Sequence, residues 1–146
     1  MSSRLFVLAM VMALLGSALI CYHQMGLKEE RAFRLAVEDG LRRLYAQATS
    51  DQARQKNTTT FAPKLFAETL RAELMEHRDF PGFSKESDVS IAVEEVALGA
   101  TNLLCVVQPW KDERYGIDGK GDCRVVNPTE YQNWPHARLN VHAITH

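Results

Sequence analysis

Cysteine and net charge are scarce in this sequence, and paired-ligand motifs are missing from it. Three cysteines in 146 residues, none spaced Cys-x-x-Cys, exclude a disulfide-dense scaffold and give no support to a zinc site. A net charge of −1, with no Lys/Arg run interleaved with aromatics, argues against a nucleic-acid partner. The glycines fit neither phosphate-loop pattern, so a nucleotide cofactor is not expected. No local motif gives a Ser or Cys nucleophile its oriented base. Glu94 and Glu95 fall on opposite faces of a strand and cannot act as a carboxylate pair without a bulge. The chain therefore reads as a non-enzyme with no catalytic, cofactor or metal site.

The most distinctive feature present is an uncharged run from Leu5 to Tyr22, interrupted only by Gly16 and Ser17. As a helix it rises about 27 Å, close to the roughly 30 Å hydrocarbon core of a bilayer. It lacks the polar face that a soluble core helix would have. The expectation is a membrane partner through residues 5–22. An uncleaved anchor fits best, because the apolar run continues through Leu19, Ile20 and Cys21, past the length most signals need. Cleavage after Ala18 is the alternative and yields a secreted protein. Ile20 directly before Cys21 makes a poor lipobox.

The basic residues pull the topology two ways. Arg4 stands alone before the span, whereas Lys28, Arg31, Arg34, Arg42 and Arg43 come after it, which by the positive-inside rule retains the domain in the cytoplasm. The signal-like character of the segment instead exports the domain behind it. The late cysteines favour export, giving an inner-membrane, single-pass protein with its C-terminal domain in the periplasm.

Residues 27–49 carry Phe33, Val37, Leu41, Leu44 and Ala48 at three- and four-residue steps, an apolar helical stripe. Glu30, Arg34, Glu38 and Arg42 alternate in sign four residues apart on the other side. With Gly26 the single breaker, the span and this helix read as nearly continuous. Residues 50–60 form a polar connector holding the sequon Asn57-Thr58-Thr59. A second amphipathic helix starts at Pro63 and runs to about residue 77, burying Phe66, Leu70 and Leu74.

The pattern then changes to strand. Val89, Ile91 and Val93 alternate with polar neighbours, then the phase slips at Glu94-Glu95, which reads as a β-bulge carrying the strand on to Leu98. Residues 103–107 read as a strand buried on both faces and stopped by Pro109, 111–122 as a polar loop, and 123–126 and 138–144 as further short strands. The predicted fold is α+β: a transmembrane or signal helix, two amphipathic helices, then a three- to four-stranded antiparallel sheet. The division is residues 1–26 as membrane segment and 27–146 as a small extracytoplasmic domain.

Two constellations remain. Cys105 and Cys123 flank the 111–122 loop, and a disulfide between them would close about 17 residues and stabilise the fold by roughly 3 kcal/mol; two unrelated buried thiols is the other reading. Trp110, Tyr115, Tyr131 and Trp134 surround the same loop and form an interaction surface if exposed together, or the far end of the core if buried. Asp112, Asp118 and Asp122 lack the ligand order of a calcium loop, and His136, His142 and His146 read as solvated.

The expected role is a membrane-anchored, non-enzymatic accessory or interaction subunit of a bacterial cell-envelope assembly, such as secretion or pilus machinery, with protein partners. The order of apolar helix, amphipathic helix, antiparallel sheet and late cysteine pair is similar to that of pilins and pseudopilins, which implies a structural filament subunit as the alternative. Met1-Ser2-Ser3-Arg4 does not match the Gly-ended leader of that family, and no acid occurs before Glu29.

Overall fold

The computed structural model describes residues 3–55, 59–76, 87–109 and 113–140. The chain divides into two units, Met1–Leu35 and Ala36–His146, whereas the sequence places the boundary after residue 26. The first unit is helix. Its apolar side chains point outward, from Val11 at 47% exposure to Phe6 at 74%, and the helix is long and apolar enough to cross a membrane. Backbone groups satisfied within the helix and side chains that want hydrocarbon are the two requirements of a span.

Helix α1 (Ser3–Gln55) has no break at Gly26, so the span and the first amphipathic helix, expected to be nearly continuous, are one element. In the second unit its stripe of Val37, Leu41, Leu44 and Ala48 is fully buried, as the spacing requires. Strand β1 (Thr60–Phe61) and helix α2 (Pro63–Glu76) come next. Pro63 occupies the first helical position, where its missing N–H is not needed, and Phe66 and Leu70 are fully buried while Leu74 is half-buried.

The sheet strands are β2 (Asp88–Ala92), β4 (Leu103–Gln108), β5 (Arg114–Asp118), β6 (Cys123–Val126) and β7 (His136–Leu139). They form one antiparallel sheet in the order β6-β5-β4-β2-β7. The short β3 (Val96–Ala97) pairs with β1 in a separate two-stranded sheet. Helix α3 (Pro128–Asn133) connects β6 to β7. The α+β class holds, but the described residues contain seven strands where three or four were predicted, and their three helices include α3, which was not expected.

Register explains the layout. One row crosses the whole sheet: Ala137, Ile91, Cys105, Ile117 and Cys123. The next row on that face is Leu139, Val89, Val107, Tyr115 and Val125. Between them, pointing to the opposite face, lie Arg138, Ser90, Val106, Gly116 and Arg124. The first face is apolar and lies under α1: the Cys123 thiol sits 3.7 Å from the Glu38 carbonyl, and the Tyr45 hydroxyl donates to the Gly119 carbonyl at 2.7 Å. Beside it Tyr45 stacks on Phe61, and Phe66 meets Phe61 edge-on. The second face is mixed and carries α3. Burial on both faces makes β4 the continuous apolar run that the sequence shows.

Three expectations are corrected. The strand does not continue through a bulge at Glu94-Glu95: β2 ends at Ala92, both glutamates are exposed, and the chain bends into β3. Two adjacent charges leave no face of a sheet that can be buried cheaply, so the backbone turns out to water there. The irregular register falls instead between Leu103 and Cys105. The 111–122 segment is not simply a loop, since it contains β5, the strand between β4 and β6. Its Gly116 is demanded by packing: a Cβ there would lie 2.6 Å from Val126 Cγ2 and 2.7 Å from Leu103 Cδ2.

The strand β5 also overturns the disulfide. Cys105 and Cys123 pair with Ile117 from its two sides, so their Cα atoms are two strand spacings apart, about 9.5 Å, beyond the roughly 7 Å a disulfide spans. Both thiols are free. Burial pushes the Cys105 thiol far above its ordinary range, and the neighbouring Cys123 adds to the effect. Cys123 is pushed up to about 11, chiefly by burial, with the Arg42 guanidinium pulling it partly back.

Candidate interaction face

Helix α3 builds the site. Asn127 caps it, its side-chain oxygen accepting the Glu130 N–H at 2.7 Å, and Pro128 takes the first helical position. The helix closes with the Trp134 N–H donating to the Glu130 carbonyl at 3.0 Å. That single turn and a half places Tyr131 and Trp134 against Leu103, Val106 and Val126 on the mixed face of the sheet.

Both rings are half-buried with their polar ends satisfied. The Trp134 indole N–H donates to the Leu103 carbonyl at 3.1 Å, and the Tyr131 hydroxyl lies 2.8 Å from the hydroxyl of Ser90, which is itself buried. His136, arriving on β7, stacks on Trp134 with centroids 5.1 Å apart and lies 4.4 Å from Tyr131. Its Nδ1 is 2.6 Å from the Trp134 carbonyl. A carbonyl only accepts, so Nδ1 is the donor in this contact. The Arg114 guanidinium sits 4.5 Å above the Tyr131 ring, a cation–π contact worth about 0.5–1 kcal/mol at an exposed site.

At the rim, Arg124 and Glu130 form a two-pronged ion pair at 2.6 and 2.5 Å. The hydrogen bond from Arg124 holds the Glu130 carboxyl below the ordinary carboxylate range, with burial opposing it. Beside them a shallow cleft of about 620 Å³ is lined by Thr101, Asn102, Asn133 and Trp134 among others. The face thus combines amphipathic rings, a guanidinium and a fixed ion pair, the mixture that protein contact surfaces favour over the rest of a surface. Among the described residues no three His, Cys, Asp or Glu side chains gather as a metal site.

The aromatic set named from sequence separates. Tyr131 and Trp134 come together. Tyr115 does not join them: it is 3% exposed, in the row under the helices, with its hydroxyl donating to Glu113 at 2.5 Å. Its odd-numbered register position sends it to the opposite face from Arg114. Trp110 lies outside the described residues, as do His142 and His146. His136 is a face member, not a solvated histidine, and Arg114, Arg124 and Ser90 were missed with it. The available signal was Asn127-Pro128-Thr129-Glu130, a helix-capping pattern with proline at the first position.

The aspartates of the 118–122 turn are also accounted for. Asp118 is buried, and its Oδ1 accepts the backbone N–H groups of Lys120 at 2.9 Å and Asp122 at 3.1 Å. Its carboxylate closes the β5–β6 hairpin. Gly121 has φ +85°, and the Tyr45 ring lies 2.8 Å from where its Cβ would be.

Comparison of the chain with protein-family models, with curated proteins and with solved structures returned no match.

Proposed function

We propose that the protein is a membrane-anchored, non-enzymatic interaction subunit of a bacterial cell-envelope assembly. The observation that carries this reading is the exposed apolar stretch of α1, none of which is buried among the described residues. Lipid is the environment that such a surface fits. The half-buried ring and guanidinium face around Tyr131, Trp134, His136 and Arg114 supports a protein partner, because rigid amphipathic rings lose little entropy on contact.

The domain is assigned to the periplasmic side on the signal-like form of the segment, now without help from a disulfide. Paired C-terminal fusions test it. A phosphatase that folds only outside the cytoplasm should be active and a cytoplasmic fluorescent reporter dark. The reverse pattern would agree with the basic residues after the span and place the domain inside.

A second reading, a pilin-like filament subunit, is favoured by one observation: α1 is uninterrupted from Ser3 to Gln55, carrying both the apolar stretch and the stripe that packs on the sheet. It expects self-association through the apolar stretch, visible as filaments by negative-stain microscopy. Pairwise complexes with a different protein would favour the accessory subunit.

A further inference from the structure

The turn before β4 and the end of α3 enclose the cleft beside the Arg124–Glu130 pair, and hydrogen bonds fix both walls. The turn is pinned to the one that joins β5 to β6. There the Gly99 N–H donates to the Gly119 carbonyl at 3.0 Å, and the Gly119 N–H donates to the Asn102 carbonyl at 3.2 Å. Helix α3 is tied to the start of the same strand, because the Trp134 indole N–H donates to the Leu103 carbonyl. Walls set before a ligand arrives reduce the entropy lost on binding.

The side chains lining the cleft are unspent. Thr101, Asn102 and Asn133 are exposed, and among the described residues their hydroxyl and amide groups hold no hydrogen bond. Each asparagine amide offers two donors and an oxygen with two lone pairs, and the threonine hydroxyl both donates and accepts. Arg124 and Glu130, by contrast, are committed to each other. Their charges cancel, and among the described residues lining the cleft no other is charged. The buried Leu103 and the half-buried Trp134 supply its apolar part.

Charge and hydrogen-bonding capacity select the occupant. An ion would lose water to a cleft of no net charge, and an aliphatic group would strip water from two amides and return nothing. An extended peptide binds chiefly through main-chain partners, and here the Asn102 and Leu103 carbonyls are already taken. The ligand that fits is uncharged, carries groups that both donate and accept, and has an apolar C–H face. A pyranose ring has all three: C–H bonds on one face and hydroxyls around the rim. The volume, about 620 Å³, falls within the roughly 300–1,000 Å³ of small-molecule sites. A shallow cleft suits a segment of a sugar chain more than a single enclosed ring.

We propose that this cleft binds an uncharged stretch of a glycan, with Thr101, Asn102 and Asn133 bonding to its hydroxyls and Trp134 against its C–H face. The inference goes beyond the protein-partner reading, which uses Tyr131, His136 and Arg114 beside the cleft, and does not depend on it.

The test uses the full-length chain in a polyoxyethylene detergent, since a sugar-headed detergent would compete. Fluorescently labelled chitotetraose and cellotetraose are read by anisotropy. At least one should bind saturably, be displaced by its unlabelled form, and keep its affinity between about 50 mM and about 500 mM NaCl, because no net charge is involved. Asn102→Ala and Asn133→Ala should each weaken that binding about fivefold or more, the loss of one or two hydrogen bonds. Both replace exposed side chains, so their unfolding midpoints should match that of the unaltered chain. Failure of both tetramers to give displaceable binding overturns the proposal, as does binding that both asparagine variants leave unchanged. An uncharged Gly-Ser-Ala hexapeptide that binds more tightly than either sugar would assign the cleft to a protein segment and overturn it too. Membrane retention of the chain is unaffected by any of these results, so failure of the cleft is distinguishable from failure of the anchor.

Discussion

Two glycines and two cysteines show how single positions set this domain. Gly119 faces backbone: a Cβ there would lie 2.5 Å from the Ala97 carbonyl oxygen and 3.0 Å from that of Ala100. Gly116 faces side chains, at Val126 and Leu103. Gly116→Ala should destabilise by about 1–3 kcal/mol, the usual cost of overpacking, and Val126→Ala introduced with it should recover part of that loss. Gly119→Ala should cost more, with no such rescue, because carbonyl groups cannot repack. Thermal or urea unfolding of the single and double variants checks both.

The thiols make a pH prediction. The folded state holds Cys123 protonated up to about 11, whereas an unfolded thiol ionises near 8.5. Between those values the folded chain binds more protons than the unfolded one, so stability falls as pH rises through that window and is flat below it. Cys123→Ser should make the slope shallower and leave the part that Cys105 contributes. Alkylation of native chain near pH 8 should leave Cys105 and Cys123 slow to react, since the thiolate is the nucleophile.

Among the elements, α3 is the smallest helix and the most dependent on its cap. Asn127→Ala should cost about 1 kcal/mol and loosen Tyr131 and Trp134 together, seen as a change in tryptophan fluorescence. The Arg124–Glu130 pair is part-exposed and contributes little in water. Because Glu130 ionises more readily when folded, its contribution is present above the ordinary carboxylate range and is lost as pH falls through the lower folded value. Glu130→Gln should remove that acid-side dependence.

Legibility differed between elements for physical reasons. The stripe on α1 and the run in β4 were readable because burial on one helix face, or on both strand faces, repeats along the sequence. Strand β5 was not, because Arg114 and Gly116 occupy its second face and read as loop residues, although a glycine is what Leu103 and Val126 leave room for. The cysteine pairing failed for the same reason: with β5 taken for a loop, β4 and β6 became neighbours. The aromatic set mixed two faces because alternation about Arg114 and Tyr115 shows only once β5 is recognised as a strand. Helix α3 is too short for periodicity, leaving its capping residues as the signal.

At the scale of the molecule, an exposed apolar helical stretch and a small mixed-face domain support anchoring with a protein partner as the role. The free cysteines carry a direct consequence: intact mass should be the same with and without reductant, whichever side of the membrane holds the domain. The most direct measurement is alkaline carbonate extraction of membranes from cells producing the native chain, with the intact mass taken in each fraction. The anchor predicts full-length protein retained in the membrane pellet. A chain shortened at its N-terminus and found in the soluble fraction, or full-length protein released by carbonate, would contradict it.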